Sequence, residues 1–189
     1  MSTSINGVDY GPLFQLLGKW WGDRGLDLSP EPDGEDKNAY YDEIEFTPAG
    51  AAENAEEQNL VCVQYRQVVR KRKNGKIFHD QIGHWMFEPS TGLLMHSLSI
   101  PRGVCVLAGG AISDEGAGQR FKVQATAGDE TFGVVQSPFM VEKAKTTAFS
   151  MSLLVDGDEL SYREVTSLDI YGRAFEHVDE ATLQRIVYD

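Results

Sequence analysis

The stretch Leu60-Val61-Cys62-Val63-Gln64-Tyr65-Arg66-Gln67-Val68-Val69-Arg70 decides the fold. It is dense in β-branched and aromatic side chains, which pack well on a pleated surface. Lys73-Asn74-Gly75-Lys76 follows, and Asn-Gly readily takes the positive φ of a tight hairpin turn. A return strand is predicted over about 77–87. Two such arms joined by such a turn make a β-hairpin.

The same punctuation repeats outward from this hairpin. Upstream, Lys19-Trp20-Trp21-Gly22-Asp23-Arg24-Gly25-Leu26 reads as a strand whose glycines mark a bulge, a bend or a close backbone approach. Trp20 and Trp21 are adjacent, so one faces the core and the other faces outward. The next strand, Ala39-Tyr40-Tyr41-Asp42-Glu43-Ile44-Glu45-Phe46, puts Tyr40, Asp42, Ile44 and Phe46 on one side. Residues 29–36 and 49–59 are small, acidic or proline-bearing, and read as polar loops. Downstream, Pro89-Ser90-Thr91-Gly92 turns the chain into a strand at 93–100, and Pro101-Arg102-Gly103 leads into another at 104–110. Further strands are expected at about 119–126, 146–155, 159–169 and 180–187, with a hairpin turn at Asp156-Gly157-Asp158. Residues 128–145 are expected to hold a loop with a short helical turn. A short N-terminal helix is expected near 10–18, where Leu13, Phe14, Leu16 and Leu17 would form a plug.

About ten short strands without strand–helix–strand alternation indicate an all-β sandwich or barrel. Neighbouring hairpins favour a closed antiparallel up-and-down barrel, because closure removes exposed edges. The 189 residues suit one such domain spanning 1–189. A barrel of this size encloses a cavity, and a small apolar ligand is its expected occupant.

Charge narrows the partners. The formal net charge is −12, which excludes nucleic acid and anionic membrane surfaces as partner classes. The basic run Arg70-Lys71-Arg72-Lys73 ends in Asn74-Gly75 and reads as a solvated hairpin tip. No apolar run reaches the length of a membrane span, no basic-then-apolar leader opens the chain, and a cytoplasmic location is expected. Cys62 and Cys105 lie in apolar runs and read as buried reduced thiols. The four histidines lack zinc-site spacing, and no nucleophile elbow or phosphate loop is present. Catalytic residues are therefore unassigned, and any enzyme activity would come from a bound cofactor.

Four stretches, taken in order, resemble the nitrobindin family of haem-binding β-barrels, related in fold to lipocalins and fatty-acid-binding proteins. Leu16-Leu17-Gly18-Lys19-Trp20-Trp21-Gly22-Asp23-Arg24-Gly25 is similar to the family's opening strand, and Tyr40-Tyr41-Asp42-Glu43-Ile44-Glu45-Phe46 to its second. Phe78-His79-Asp80-Gln81-Ile82-Gly83-His84-Trp85 resembles its His-x-Glu-x-Gly-aromatic strand, with Gln81 where glutamate is usual. Phe175-Glu176-His177-Val178-Asp179-Glu180-Ala181-Thr182-Leu183-Gln184-Arg185 resembles its last strand, with one extra residue after His177. Phe78 and the region 166–168 stand where the family carries distal methionines.

The resemblance implies haem b as cofactor, with His177 as the proximal iron ligand. It places His79 on the opposite side of the same pocket, with Phe78 beside it. Read from the residues alone, His177 also suits a surface histidine preceding the last strand, and His79 a hydrogen-bonded strand histidine. The implied chemistry concerns nitric oxide, peroxynitrite or peroxide, as in haem-dependent peroxynitrite isomerases. The alternative is a haem-free carrier of a fatty acid or other lipophile, with an inward arginine among Arg66, Arg70 and Arg102 as carboxylate partner. Relatives of this size often pair through barrel surfaces, so a homodimer is among the expected assemblies.

Overall fold

The computed structural model describes residues 2–187. A small hairpin of β1 (Ser4–Ile5) and β2 (Val8–Asp9) precedes a 3-10 helix, Gly11–Leu16. The chain continues through β3 (Gly18–Glu31), β4 (Gly34–Asn54), β5 (Gln58–Lys71) and β6 (Ile77–Glu88). Next come β7 (Leu93–Ile100), β8 (Val104–Glu115), β9 (Gly118–Thr126) and the short β10 (Val134–Gln136). The helix α1 (Pro138–Lys143) leads into β11 (Ala144–Asp156), β12 (Glu159–Ile170) and β13 (Arg173–Arg185). Every barrel strand pairs antiparallel with its neighbour, β9 pairs with β11, and β13 closes the sheet on β3. Among the described residues this is the expected closed ten-stranded meander, with β10 as one added strand.

Several local expectations are corrected. The N-terminal helix is a six-residue 3-10 turn, and the α-helix lies instead in the 128–145 region. Residues 29–36 and 49–59 are mostly strand: Ser29 pairs with Asp36, and Glu53 with Asn59. Polar side chains at a wet rim do not oppose strand pairing, because the ladder needs only backbone groups. The last strand starts at Arg173, so His177 lies within it rather than before it. The Asn74-Gly75 connection between β5 and β6 spans five residues, 72–76, with Gly75 at φ 68°. Cys105 is exposed rather than buried, and Arg66 points outward to pair with Asp80 at 2.7 Å.

The glycines of β3 do the work their positions imply. The β3–β4 register shifts between Gly22 and Gly25, a bulge that adds one residue to β3. A Cβ on Gly22 would lie 2.4 Å from the Thr182 carbonyl oxygen, and one on Gly25 1.9 Å from the Tyr40 ring. Only glycine lets the strands approach there.

Inside, the barrel is layered. Its closed end is filled by Trp20, Phe121, Leu153, Leu160 and Leu183, all fully buried. Leu13 and Leu16 of the 3-10 helix cap this layer, as the expected plug. Trp20 Nε1 donates to the Leu16 carbonyl at 2.8 Å, and the Arg185 guanidinium lies 4.0 Å from the Trp20 ring centre. Trp21, by contrast, is exposed.

Beyond β9, a gap between β8 and β11 is filled by β10, which pairs Val134 with Val106 and Gln136 with Val104. On its other side no strand ladder reaches β11, and a side chain substitutes. Gln136 Nε2 donates to the Thr146 carbonyl, and the Thr146 N–H donates to Gln136 Oε1, both at 2.8 Å. The amide thus reproduces both bonds of a backbone pair. Gln136→Ala strands the buried Thr146 backbone groups and is expected to lower the unfolding free energy by about 1–3 kcal/mol in a urea titration. Gln136→Glu should not rescue it, since a carboxylate cannot donate to the Thr146 carbonyl. An unchanged midpoint in both variants would contradict this closing role.

Candidate functional site

The open end of the barrel holds a cavity of about 450 Å³, within the usual range for a ligand site. His177, His79 and Phe78 all line it, so the structure brings the three sequence-selected residues together. Leu98, Val104, Val106 and Phe149 supply apolar wall, and Lys71 and Arg102 supply positive charge. Arg70 is exposed and not part of this wall.

His177 stands on β13, where alternation also turns Asp179, Ala181 and Leu183 inward. The strand pairs with β12 without a break, so the extra residue after His177 causes no slip. The compensating irregularity sits in β3. Register then aligns four side chains in one transverse row: Glu164 opposite Asp179, Asp179 opposite Asp27, and Asp27 opposite Asn38. His177 Nε2 lies 2.7 Å from Asp27 Oδ1 and 3.4 Å from Asp179 Oδ2. The side chain of Asp27 is only 4% exposed, yet its second oxygen accepts from Ser29 and Asn38, each at 3.1 Å. A buried carboxylate is tolerated when both oxygens find donors, as here. Lys71 Nζ extends the chain by donating to Asn38 Oδ1 at 3.3 Å.

Two further polar networks lie beneath. His79 Nε2 bonds to Gln81 Oε1 at 3.0 Å, and Gln81 Nε2 donates to Tyr65 Oη at 2.6 Å. Tyr65 meets His96 Nε2 at 2.8 Å, so a hydrogen-bonded chain runs from the cavity wall to the barrel centre. His96 is fully buried and stacked on Trp85 at 4.1 Å, and its Nδ1 has no partner among the described residues. In the second network Tyr162 donates to Asp42 Oδ2 at 2.7 Å, and Gln67 Nε2 reaches both Asp42 oxygens. Tyr40 Oη lies 2.9 Å from Tyr162 Oη.

These environments set the protonation states. Burial opposes charge on both His177 and Asp27, but their mutual bond outweighs it: the imidazole is held above its ordinary value and the carboxyl below. Burial pushes the Glu164 carboxyl up to about 8, with Asp179 adding repulsion. Asp42 rises to about 7 by burial, against the pull of its Tyr162 and Gln67 bonds. Burial likewise raises Asp179 to about 6, although His177 opposes this. His79 and His96 are pushed the other way by burial, His96 to about 3. Of the two cavity histidines, His79 is thus the harder to protonate.

Asp27, Asp179 and Glu164 were not among the sequence candidates. The bulge explains Asp27: strict alternation from Trp20 puts residue 27 outside, and the extra residue in β3 reverses it. Glu164 shares its alternation class with Leu160 and Tyr162, and Asp179 with Ala181 and Leu183. A carboxylate on an apolar strand face was the signal available for both.

A pH dependence follows. A carboxyl raised in the fold binds more protons folded than unfolded, so stability falls as pH rises through the raised value. A raised histidine acts in the same direction above its unfolded value of 6.5. From pH 6.5 to about 8 Glu164 and His177 act alike, joined by Asp42 up to about pH 7, while the depressed His79 and His96 oppose them only near 6.5. The thermal midpoint is expected to drop across this window, and Glu164→Gln to flatten the drop. A midpoint that is constant or rising from 6.5 to 8 would count against the buried acidic row.

A family model described as "THAP4-like, heme-binding beta-barrel domain" matches residues 9–185. Among solved structures, Rv2717c from M. tuberculosis is similar at a TM-score of 0.68 with 25% sequence identity, over 92% of this chain and 94% of that one. No curated protein matches the sequence. The match runs from the start of the plug to the end of β13, and the chain belongs to the nitrobindin family of THAP4-like haem-binding β-barrels.

Proposed function

We propose that the cavity binds haem b with His177 as the axial ligand of the iron. The observation that carries this reading is His177 on the inner wall of a cavity with apolar sides and two cations, Lys71 and Arg102. An apolar macrocycle suits Leu98, Val104, Val106 and Phe149, and its two carboxylate arms suit the cations. His79 is neutral and faces the same cavity, where it would offer a polar contact to a small molecule without competing as a cation.

The fit has a stated cost. An axial imidazole needs a free lone pair on the ligating nitrogen, and Nε2 of His177 is engaged with Asp27. Ligation through Nε2 would require that contact to be given up and its proton to leave. The haem supplies redox and diatomic-ligand chemistry when bound; the chain supplies orientation, a dry wall and charge at the rim. This is the setting in which nitric oxide, peroxynitrite or peroxide chemistry would take place.

A carrier of a carboxylate-bearing lipophile is the second reading, favoured by Arg102 and Lys71 on the cavity wall. It leaves His177 without a role. Haemin titration separates the two: a saturable shift of the Soret band is expected, with affinity at least tenfold lower in His177→Ala. No saturable change in the wild-type protein would refute the haem reading and leave the lipophile carrier. Equal affinity in His177→Ala would refute the assigned axial ligand.

A further inference from the structure

We propose that Asp27, His177 and Asp179, with Glu164 facing the same cavity, form a binding site for a divalent transition-metal ion, of which Zn²⁺ is the reference case, in the haem-free barrel. The first observation is geometric. His177 Nε2 and one carboxylate oxygen each from Asp27 and Asp179 lie within 4.8 Å of one another. Ligands on roughly 2.1 Å arms about a tetrahedral ion are separated by about 3.4 Å. The distance from His177 Nε2 to Asp179 Oδ2 is 3.4 Å, and the 2.7 Å distance to Asp27 Oδ1 is that of a hydrogen bond whose proton the ion would replace.

The second observation is Glu164. It is 9% exposed, lines the same cavity, and sits directly across from Asp179 in the β12–β13 register. Its carboxylate makes no hydrogen bond among the described residues, unlike Asp42 and Asp27 at similar depth. Its oxygens face the cavity without a protein donor, so a cation held beside them would meet a carboxylate with no competing hydrogen bond. Once the His177 proton has left, the carboxylates of Asp27 and Asp179 together balance a dication.

The third is support behind the ligands. The outer oxygen of Asp27 is held by Ser29 and Asn38, which fixes the inner oxygen toward His177. Imidazole with carboxylates selects borderline ions such as Zn²⁺ or Fe²⁺ over Ca²⁺, which prefers an all-oxygen shell. The ion would use the same nitrogen as an axial haem bond, so the two occupants exclude each other. The site itself does not depend on the haem reading.

The test is calorimetric titration of chelator-treated, haem-free full chain with Zn²⁺. One saturable site is expected, with affinity reduced at least tenfold in Asp179→Asn and in the isosteric Glu164→Gln. His84→Ala, at an exposed histidine remote from the cavity, should leave the affinity unchanged. Folding of each variant is checked by its near-ultraviolet circular dichroism. In parallel, the His177 ring nitrogen signals should shift on Zn²⁺ addition to the wild type. Absence of saturable binding, binding unaffected by both carboxylate changes, or unmoved His177 signals would each overturn the proposal. A failed haemin titration alongside retained Zn²⁺ binding would sink only the haem reading, and the converse only this one.

Discussion

The molecule depends on one seam, where β13 closes on β3. A meander of strands has two free edges, and pairing them removes both. Here the seam also carries the bond between Asp27 and His177, 150 residues apart in sequence. Closure and site construction are the same event. The β3 bulge decides the parity on one side of the seam, and unbroken alternation in β13 decides it on the other. With either shifted by one residue, Asp27 and His177 would face opposite sides of the sheet.

The interior is graded along the barrel axis. The closed end is apolar and dense, held by Trp20 and the 3-10 plug, and supplies hydrophobic stabilisation. Above it lies a belt of tyrosines, Gln67, Gln81, His96 and Asp42, bonded largely to one another. Such networks are expensive when incomplete, and nearly every member here has its partner.

Legibility in the sequence followed the physics of each region. The hairpin at 60–87 announced itself, because β-branched runs and Asn74-Gly75 act locally. Trp20 and Trp21 split inward and outward as adjacent strand residues must. The rim strands at 29–36 and 49–59 were illegible for the opposite reason: their polar residues carry no packing signal, and pairing with neighbours extends them. His177 and His79, picked out on a family resemblance, both line one cavity. Asp27 was hidden by the bulge, since a glycine pair marks an irregularity without stating which residue is extra. The partners of His177 are set by three-strand register, which no local pattern encodes.

The seam can be tested directly by a double-mutant cycle on the stability of the haem-free protein at pH 6, using Asp27→Asn, His177→Gln and both together. A charge-assisted hydrogen bond of this kind predicts a coupling energy of about 1.5–3 kcal/mol. Losses that simply add, to within about 0.5 kcal/mol, would show that the two side chains do not act as a pair across β3 and β13.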